Sequence, residues 1–189
     1  MRIISGKLKG SILNITKNRS TRPLKDSARE NMFNLITHSN KVLFHFEKAK
    51  ILDLYSGTGS FGLECLSRGA ESVYFVEKEK DAILTLEKNI EKLNVRNKVK
   101  IFSDDVFNLI NKANLSKQKF NLIFCDPPFK NENIKSLLEL IFKKNLLSKK
   151  GIIIFHRKTD TKESLPNCFE ILDERKYGKS KITFGKFLI

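Results

Sequence analysis

The sequence predicts an α/β protein with a doubly wound, largely parallel sheet. From residue 51 onward, short apolar runs alternate with amphipathic helical patterns, as in chains of β-α-β units. A glycine-rich turn at residues 57–62 joins the first apolar run to a helical pattern. Beyond residue 156, two strand patterns flank a glycine turn, which predicts a hairpin that completes a sheet of seven strands.

The chain has 189 residues, 40% of them hydrophobic, and is long enough to bury a substantial core. We expect a basic N-terminal hairpin arm at residues 1–20 and one main domain at residues 21–189. The short β-hairpin of the arm is predicted from two apolar pairs separated by bends at Gly6 and Gly10.

The remaining elements are expected in chain order. A capping box formed by Ser27 and Glu30 begins a helix that extends to about Thr37. Hydrophobic periodicity then predicts five parallel strands, each joined to the next by a helix, before the terminal hairpin. Strands are expected at residues 51–55, 72–77, 98–103, 120–125 and 151–156, hairpin strands at 169–172 and 182–187, and helices at 61–68, 79–93, 105–112 and 132–145.

The net charge of +15, from 36 Lys and Arg against 21 Asp and Glu, predicts a polyanionic partner, most simply nucleic acid. An AT-rich genome, whose codons favour Lys, Asn and Ile, explains part of this excess. It does not explain the clustering, since residues 1–30 carry eight basic and only two acidic side chains. We therefore interpret the arm as a phosphate-binding segment, and its candidate contacts are Arg2, Lys7, Lys9 and Arg19.

The sequence also argues against a membrane-spanning protein, a secreted protein and a metalloprotein. No run approaches the ~18 apolar residues of a membrane span, and charged residues interrupt the N-terminus, where a signal peptide needs an apolar segment. The three cysteines are widely spaced and odd in number, which indicates reduced thiols in the cytoplasm rather than a metal site. The histidines His38, His45 and His156 show no ligand spacing and are interpreted as surface or packing residues.

Residues 51–62 predict a strand, a tight turn and a helix that bind an adenosine cofactor. Gly57 and Gly59 let the backbone approach a ligand closely, and Glu77 at the end of the next strand can accept hydrogen bonds from both ribose hydroxyls. The same letters fit NAD, or an ordinary turn without a ligand. Asp53 favours S-adenosylmethionine, because a carboxylate there would repel a pyrophosphate but attract a sulfonium and an amino group.

Further cofactor contacts are expected at neighbouring strand ends. Tyr55 lies two residues after Asp53 at the end of the first strand, and Lys78 directly follows Glu77. Asp105, after the third strand, can accept a hydrogen bond from the adenine amino group, with Asp104 as a competitor one position away. Either aspartate can instead cap the following helix, and the two roles can coexist.

The fourth strand ends in Asp126-Pro127-Pro128-Phe129. Ligands of open α/β sheets bind beyond the carboxyl ends of the strands, so Asp126 and Asp53 are expected to face one crevice, and Asp126 joins both the catalytic and the cofactor-binding set. The prolines remove two N–H donors, which leaves the Asp126 side chain and the Pro127 carbonyl as acceptors for an NH₂ group. Phe129 can stack on the base that carries this amine. An ordinary turn remains the alternative for the motif on its own.

The seven-strand plan is that of class I methyltransferases, and the motifs resemble one family of them. Asp-Pro-Pro-Phe is typical of methyltransferases that act on amino groups of nucleic-acid bases. Over nearly its full length, the chain resembles the bacterial 16S rRNA guanine-N2 methyltransferases that modify guanine 966. The matching segments are residues 2–10, 21–33, 52–70 and 126–129, with a weaker match at 176–179.

This resemblance implies S-adenosylmethionine as the cofactor and 16S rRNA, free or within the 30S subunit, as the partner. It also implies that Arg22 and Pro23 lie near the cofactor and that the arm contacts RNA. We therefore expect a cytoplasmic, monomeric enzyme, without a metal or a membrane partner, that methylates the N2 amine of a guanine. The alternatives are an adenine-N6 or cytosine-N4 DNA methyltransferase and a non-catalytic RNA-binding or assembly protein.

Overall fold

The computed structural model describes residues 1–16, 26–112, 115, 118–128, 133–161 and 164–188, and it confirms the α/β fold class. The helices are α1 (Asp26–His38), α2 (Ser60–Ser67), α3 (Lys80–Lys92), α4 (Val106–Lys112) and α5 (Ile134–Lys143), with a 3-10 turn at Arg96–Lys98. The strands are β1 (Lys50–Leu54), β2 (Ser72–Glu77), β3 (Val99–Ser103), β4 (Phe120–Cys125), β5 (Leu147–Lys158), β6 (Phe169–Tyr177) and β7 (Ser180–Phe187).

The strand order of the sheet explains where a ligand can bind. In the described residues the order is β3-β2-β1-β4-β5-β7-β6. The first five of these strands are parallel, and β7 pairs antiparallel with both β5 and β6. The chain therefore proceeds outward from β1 to β3 and then returns to place β4 on the other side of β1. This reversal opens a crevice at the carboxyl ends of β1 and β4.

Both faces of the sheet are covered by helices. One apolar cluster joins the sheet to α1, α2 and α3, and a second joins its other face to α4 and α5. In the first cluster, the Phe61 ring of α2 stacks on Phe33 of α1, with 5.1 Å between ring centroids, and on Phe124 of β4, with 3.9 Å. These contacts join α1 and α2 to β4. Such burial on two faces explains why the central strands read as continuous apolar runs in the sequence.

Within residues 1–16, the predicted N-terminal hairpin is reduced to a single antiparallel bridge between Arg2 and Ile12. The segment still folds back on itself, since the Ile3 amide donates to the Ser11 carbonyl at 2.9 Å. Ile3 and Leu13 are buried in the same apolar cluster as α1 and α2. Residues 1–16 therefore pack on the main domain. The boundary between arm and domain stays a prediction, because residues 17–25 lie outside the described part.

A buried carboxylate anchors this N-terminal segment. Glu64 of α2 accepts hydrogen bonds from the amides of Ile4 at 2.7 Å and Ser5 at 3.0 Å. Its charge is balanced by Arg68, one helical turn later, whose Nε lies 2.8 Å from the Glu64 Oε1 atom. Because Glu64 is fully buried, these bonds hold the segment firmly on α2.

Several element bounds differ from those predicted. β5 covers Leu147–Lys158 rather than 151–156, and the helix before it is shorter than predicted at Ile134–Lys143. Most residues at both ends of β5 are polar, so the hydrophobic pattern predicted a shorter strand. Pairing with β7 extends the strand to Lys158. The capping box predicted for α1 depends on the Ser27 side chain, which lies outside the described part.

The terminal hairpin is confirmed and is longer than predicted, at Phe169–Tyr177 and Ser180–Phe187. Its two-residue turn contains Gly178 at φ 58°, a conformation that is costly for residues with a Cβ. Nothing lies within 4 Å of where a Cβ on Gly178 would be.

Candidate functional site

The glycine-rich turn lies at the carboxyl end of β1 and leads into α2. Tyr55 has φ 58° and Gly57 has φ 54°, so the backbone turns sharply away from the strand. Nothing lies within 4 Å of where a Cβ on Gly57 would be. The conformation and the open space together fit the predicted close approach of a ligand to the backbone.

Asp53, in β1 beneath this turn, is 1% exposed. Its Oδ2 accepts a hydrogen bond from the Gly62 amide at 3.0 Å, and its Oδ1 has no hydrogen-bond partner among the described residues. Burial raises the pKa of Asp53 well above its usual value, the Gly62 hydrogen bond opposes this, and the charges of Asp126 and Glu77 raise it further. The three carboxylates therefore make an acidic crevice that suits a cationic ligand.

Glu77 ends β2 and fixes the glycine turn. Its Oε2 accepts from the Gly57 amide at 2.8 Å, while its Oε1 accepts from the amides of Lys78 at 2.8 Å and Glu79 at 2.9 Å. The carboxylate therefore lies against the residue expected to approach the cofactor. The predicted contact with ribose hydroxyls stays a prediction.

Asp105 caps α4, as one of the two sequence interpretations expected. Its Oδ1 accepts from the Phe107 amide at 3.0 Å, and its Oδ2 lies 3.3 Å from the Nζ of Lys78. The Asp104 carboxylate instead accepts from the Asp105 amide at 2.7 Å. Asp105 and Lys78 are thus paired beside the crevice, and their contacts with an adenosine group stay predictions.

Asp126 follows β4 directly and lies beside the end of β1, where its amide donates to the Leu54 carbonyl at 3.4 Å. Its side chain is 30% exposed, in contrast to Asp53. Pro127 is buried and Pro128 is exposed. Unlike Asp53, Asp126 is therefore open to a substrate.

The structure brings together Asp53, Tyr55, Gly57, Glu77 and Asp126 at the carboxyl ends of β1, β2 and β4, and the roles assigned to them stay predictions. Other predicted site residues lie outside the described part of the chain, and these are Arg19, Arg22, Pro23 and Phe129. Their assigned roles stay predictions.

Two residues at the end of β5 were missed as site residues by the sequence analysis. The Nδ1 atom of His156 lies 2.8 Å from Asp126 Oδ1, and Arg157 NH1 donates to the Pro128 carbonyl at 3.4 Å. Both side chains are at least 96% buried. The available signal was their position just after a strand expected to lie next to β4, but the histidine was interpreted as a surface or packing residue.

Another missed contact links the N-terminal segment to the glycine turn. The buried Asn89 of α3 accepts from the Asn14 amide at 2.7 Å and donates to the carbonyls of Asn14 at 3.1 Å and Thr58 at 3.0 Å. One amide side chain therefore bonds to both segments, which are 44 residues apart in the chain. No local pattern in the sequence indicates such a contact.

The candidate phosphate contacts Arg2, Lys7 and Lys9 are all exposed. The cysteines are free, with Cys65 and Cys125 buried, and burial raises the pKa of both thiols. Within the described ranges, no group of three His, Cys, Asp or Glu side chains could hold a metal ion. No helix of the described chain is long and apolar enough to cross a membrane.

Comparison with known sequences gives matches over almost the whole chain. The profile of the family described as "Conserved hypothetical protein 95" matches residues 1–186. The "Putative rRNA methyltransferase YlbH" of Bacillus subtilis is 35% identical over 82% of this chain and 80% of its own length. The "Ribosomal RNA small subunit methyltransferase D" of Buchnera aphidicola subsp. Baizongia pistaciae is 32% identical over 95% of this chain and 88% of its own length.

Comparison with solved structures supports the fold. The structure of the "Putative methyltransferase yhhF from Escherichia coli" superposes with a TM-score of 0.84. It covers 99% of this chain and 97% of its own, at 22% sequence identity.

Proposed function

The chain belongs to the Conserved hypothetical protein 95 family and is an S-adenosylmethionine-dependent rRNA methyltransferase, and we propose that it modifies the N2 amine of a guanine in 16S rRNA, namely guanine 966. The observation that carries this proposal is the acidic crevice in which Asp53 and Asp126 end adjacent parallel strands. The names of the curated relatives support rRNA of the small subunit as the substrate.

The charge of the crevice distinguishes between adenosine cofactors. The Oδ1 of Asp53, which has no hydrogen-bond partner among the described residues, is buried next to the carboxylates of Glu77 and Asp126. The pyrophosphate of NAD would be repelled there, whereas a sulfonium and an α-amino group would be attracted. Asp53 would bind the charged end of S-adenosylmethionine and Glu77 would bind its ribose. Gly57 would lie against the ligand. When bound, S-adenosylmethionine supplies an electrophilic methyl group.

Asp126 and Pro127 are proposed to hold the substrate amine. The lone pair of an exocyclic amine is delocalised into the ring of the base, so the amine is a poor nucleophile. The Asp126 carboxylate and the Pro127 carbonyl can accept its two N–H groups, which turns the nitrogen lone pair away from conjugation. Asp126 then stabilises the positive charge that develops on the nitrogen, and the surplus proton leaves afterwards to water.

The remaining assignments complete this proposal. The exposed Arg2, Lys7 and Lys9 would contact RNA phosphates, together with Arg19. Phe129 would stack on the target base, and Arg22 and Pro23 would lie near the cofactor. We propose a cytoplasmic monomer whose partner is 16S rRNA, free or within the 30S subunit.

The test is methyl transfer from labelled S-adenosylmethionine to 30S subunits that lack the modification, followed by nucleoside analysis. We expect label in N2-methylguanosine. Asp126→Ala should lower turnover by ~100-fold or more, the size of effect seen when one charge-stabilising group is lost, while cofactor affinity stays within a few-fold. The matched control is Asp160→Ala, at an exposed aspartate after β5, which should retain wild-type turnover.

Each other result has a defined meaning. Wild-type turnover in Asp126→Ala would contradict the assigned role of this carboxylate. Label in N6-methyladenosine or N4-methylcytosine would keep the methyltransferase chemistry but overturn the guanine substrate. RNA binding without any affinity for the cofactor would favour the non-catalytic alternative.

A further inference from the structure

β5 extends past the end of β4, and this brings two side chains beside the Asp126 loop. In the parallel ladder Cys125 pairs with Phe155, so the next residues, Asp126 and His156, lie side by side. Side chains at equivalent positions of adjacent strands point to the same face of the sheet. The register therefore explains why the His156 ring reaches the Asp126 carboxylate, at 2.8 Å between Nδ1 and Oδ1.

The direction of this hydrogen bond follows from its chemistry. An ionised carboxylate only accepts hydrogen bonds, so the hydrogen must lie on the His156 Nδ1 atom. The Oδ1 atom of Asp126 is then engaged, while none of the hydrogen bonds found among the described residues uses its Oδ2 atom. The second oxygen is therefore the one available to a substrate amine.

The two partners differ in their freedom to move. The His156 side chain is 4% exposed and is fixed by the strands around it, whereas the Asp126 side chain is 30% exposed. A carboxylate at the mouth of a crevice can rotate about its χ angles unless a rigid neighbour holds it. The next residue, Arg157, holds the same loop through the Pro128 carbonyl. The end of β5 thus fixes both the side chain and the backbone of the loop.

We infer that His156 is a positioning residue of the methyl-transfer reaction, and that its Nδ1–H group orients the Asp126 carboxylate so that Oδ2 faces the amine of the target guanine. This inference rests on the proposed function. It assigns to His156 no contact with the substrate, only the orientation of the group that makes that contact. A misplacement of about 1 Å in such a group can lower a rate by roughly 100-fold.

The experiment compares three substitutions at this position. Asn places a donor near the position of the imidazole Nδ1 atom, Gln places one near that of Nε2, and Leu provides bulk without a donor. We expect His156→Leu to lower the single-turnover rate of guanine methylation by ~10–100-fold, with cofactor affinity within about three-fold of wild type. His156→Asn should recover most of the rate and His156→Gln should not.

The matched control is His45→Leu, the same substitution at an exposed histidine, which should change none of these quantities. Wild-type rates in all His156 variants would overturn the inference. Equal loss of rate in the Leu and Asn variants, accompanied by an equal loss of cofactor affinity, would indicate a packing role and would also overturn it.

A readout independent of activity is the ¹⁵N NMR spectrum of the imidazole ring, which is readily assigned in a chain with three histidines. We expect the His156 hydrogen on Nδ1 in the wild type and a changed ring signal in Asp126→Ala. A neutral ring with its hydrogen on Nε2 in the wild type would overturn the inference. A wild-type protein that labels no guanine overturns the proposed function, and the inference with it. Guanine label at equal rates in wild type and His156→Leu overturns the inference alone.

Discussion

Replacing Asp53 by Asn tests whether the acidic crevice is maintained at the expense of stability. Asn preserves an acceptor for the Gly62 amide but removes a charge that is buried and has an unpartnered oxygen among the described residues. It also relieves the repulsion from Glu77 and Asp126. We therefore expect Asp53→Asn to stabilise the protein without cofactor and to weaken cofactor binding.

The expected magnitudes follow from the environment of this side chain. The Asn amide leaves an unpartnered polar atom at this position but removes its charge, and burial of a charge costs more than the ~1–3 kcal/mol of a neutral polar atom. The free energy of unfolding should therefore rise by about 1–2 kcal/mol. For a chain of this size, that corresponds to an increase in Tm of roughly 2–8 °C. Loss of the attraction between this carboxylate and the charged end of S-adenosylmethionine, taken at the size of a hydrogen bond to a charged group (~1.5–3 kcal/mol), should weaken binding by roughly 10–150-fold.

The pH dependence provides a second signature. The pKa of Asp53 is raised in the folded protein by burial, so the folded state binds a proton more tightly than the unfolded state does. The resulting stability is fully present below the pKa of the unfolded state and is lost as the pH rises through the folded-state pKa. The wild type should therefore lose stability relative to Asp53→Asn between acidic and neutral pH, and the two should converge in acid.

Thermal unfolding over a pH series and calorimetric titration with S-adenosylmethionine measure these effects. Asp160→Asn, at an exposed position, is the matched control and should change neither. A variant that is less stable than wild type at neutral pH and binds the cofactor normally would refute the reasoning. It would show that Asp53 serves only to hold the Gly62 amide at the start of α2.

Three further predictions concern the turn, the arm and the contact between them. Gly57→Ala and Gly178→Ala should each destabilise the protein by ~1–2 kcal/mol, because a residue with a Cβ is strained at positive φ. The space around both positions is open, so no steric clash adds to this cost. Only Gly57→Ala should also weaken cofactor binding in calorimetry. Combined Lys7→Ala and Lys9→Ala substitutions should reduce the log–log salt slope of RNA binding by roughly 0.7 per lost phosphate contact, with the rate at saturating RNA unchanged. Asn89→Leu should lower both the Tm and the affinity for S-adenosylmethionine, since its bonds to Asn14 and Thr58 are lost, and a lower Tm with normal affinity would contradict a role in the glycine turn.

The fold could be predicted because its main signals are local. Each central strand is an apolar run buried on two faces, and each helix between them has an apolar stripe of its own. The chemistry of the crevice was also accessible, since parallel strands bring Asp53 and Asp126 to the same edge once the strand order is known. The bounds of β5 were harder to predict, because pairing with β7 forms strand structure in residues that are polar.

What could not be predicted depends on contacts between distant residues. His156 lies 30 positions from Asp126, and Asn89 lies 75 positions from Asn14. Neither residue stands in a pattern that distinguishes it from an ordinary core or surface side chain. The register of two strands decides the first contact, and the packing of the N-terminal segment on α3 decides the second. Both are properties of the folded chain rather than of any window of the sequence.

The distribution of charge constrains how the proposed substrate can enter. The chain carries a net charge of +15, yet its crevice holds the carboxylates of Asp53, Glu77 and Asp126. RNA phosphates would be attracted to the basic surface and repelled from the crevice. The part of a nucleotide that can enter is therefore the uncharged base, which requires the target guanine to be unstacked and turned away from its own backbone. On this argument the acidic crevice both attracts the cationic cofactor and selects a base that is already splayed out over one that remains within a helix.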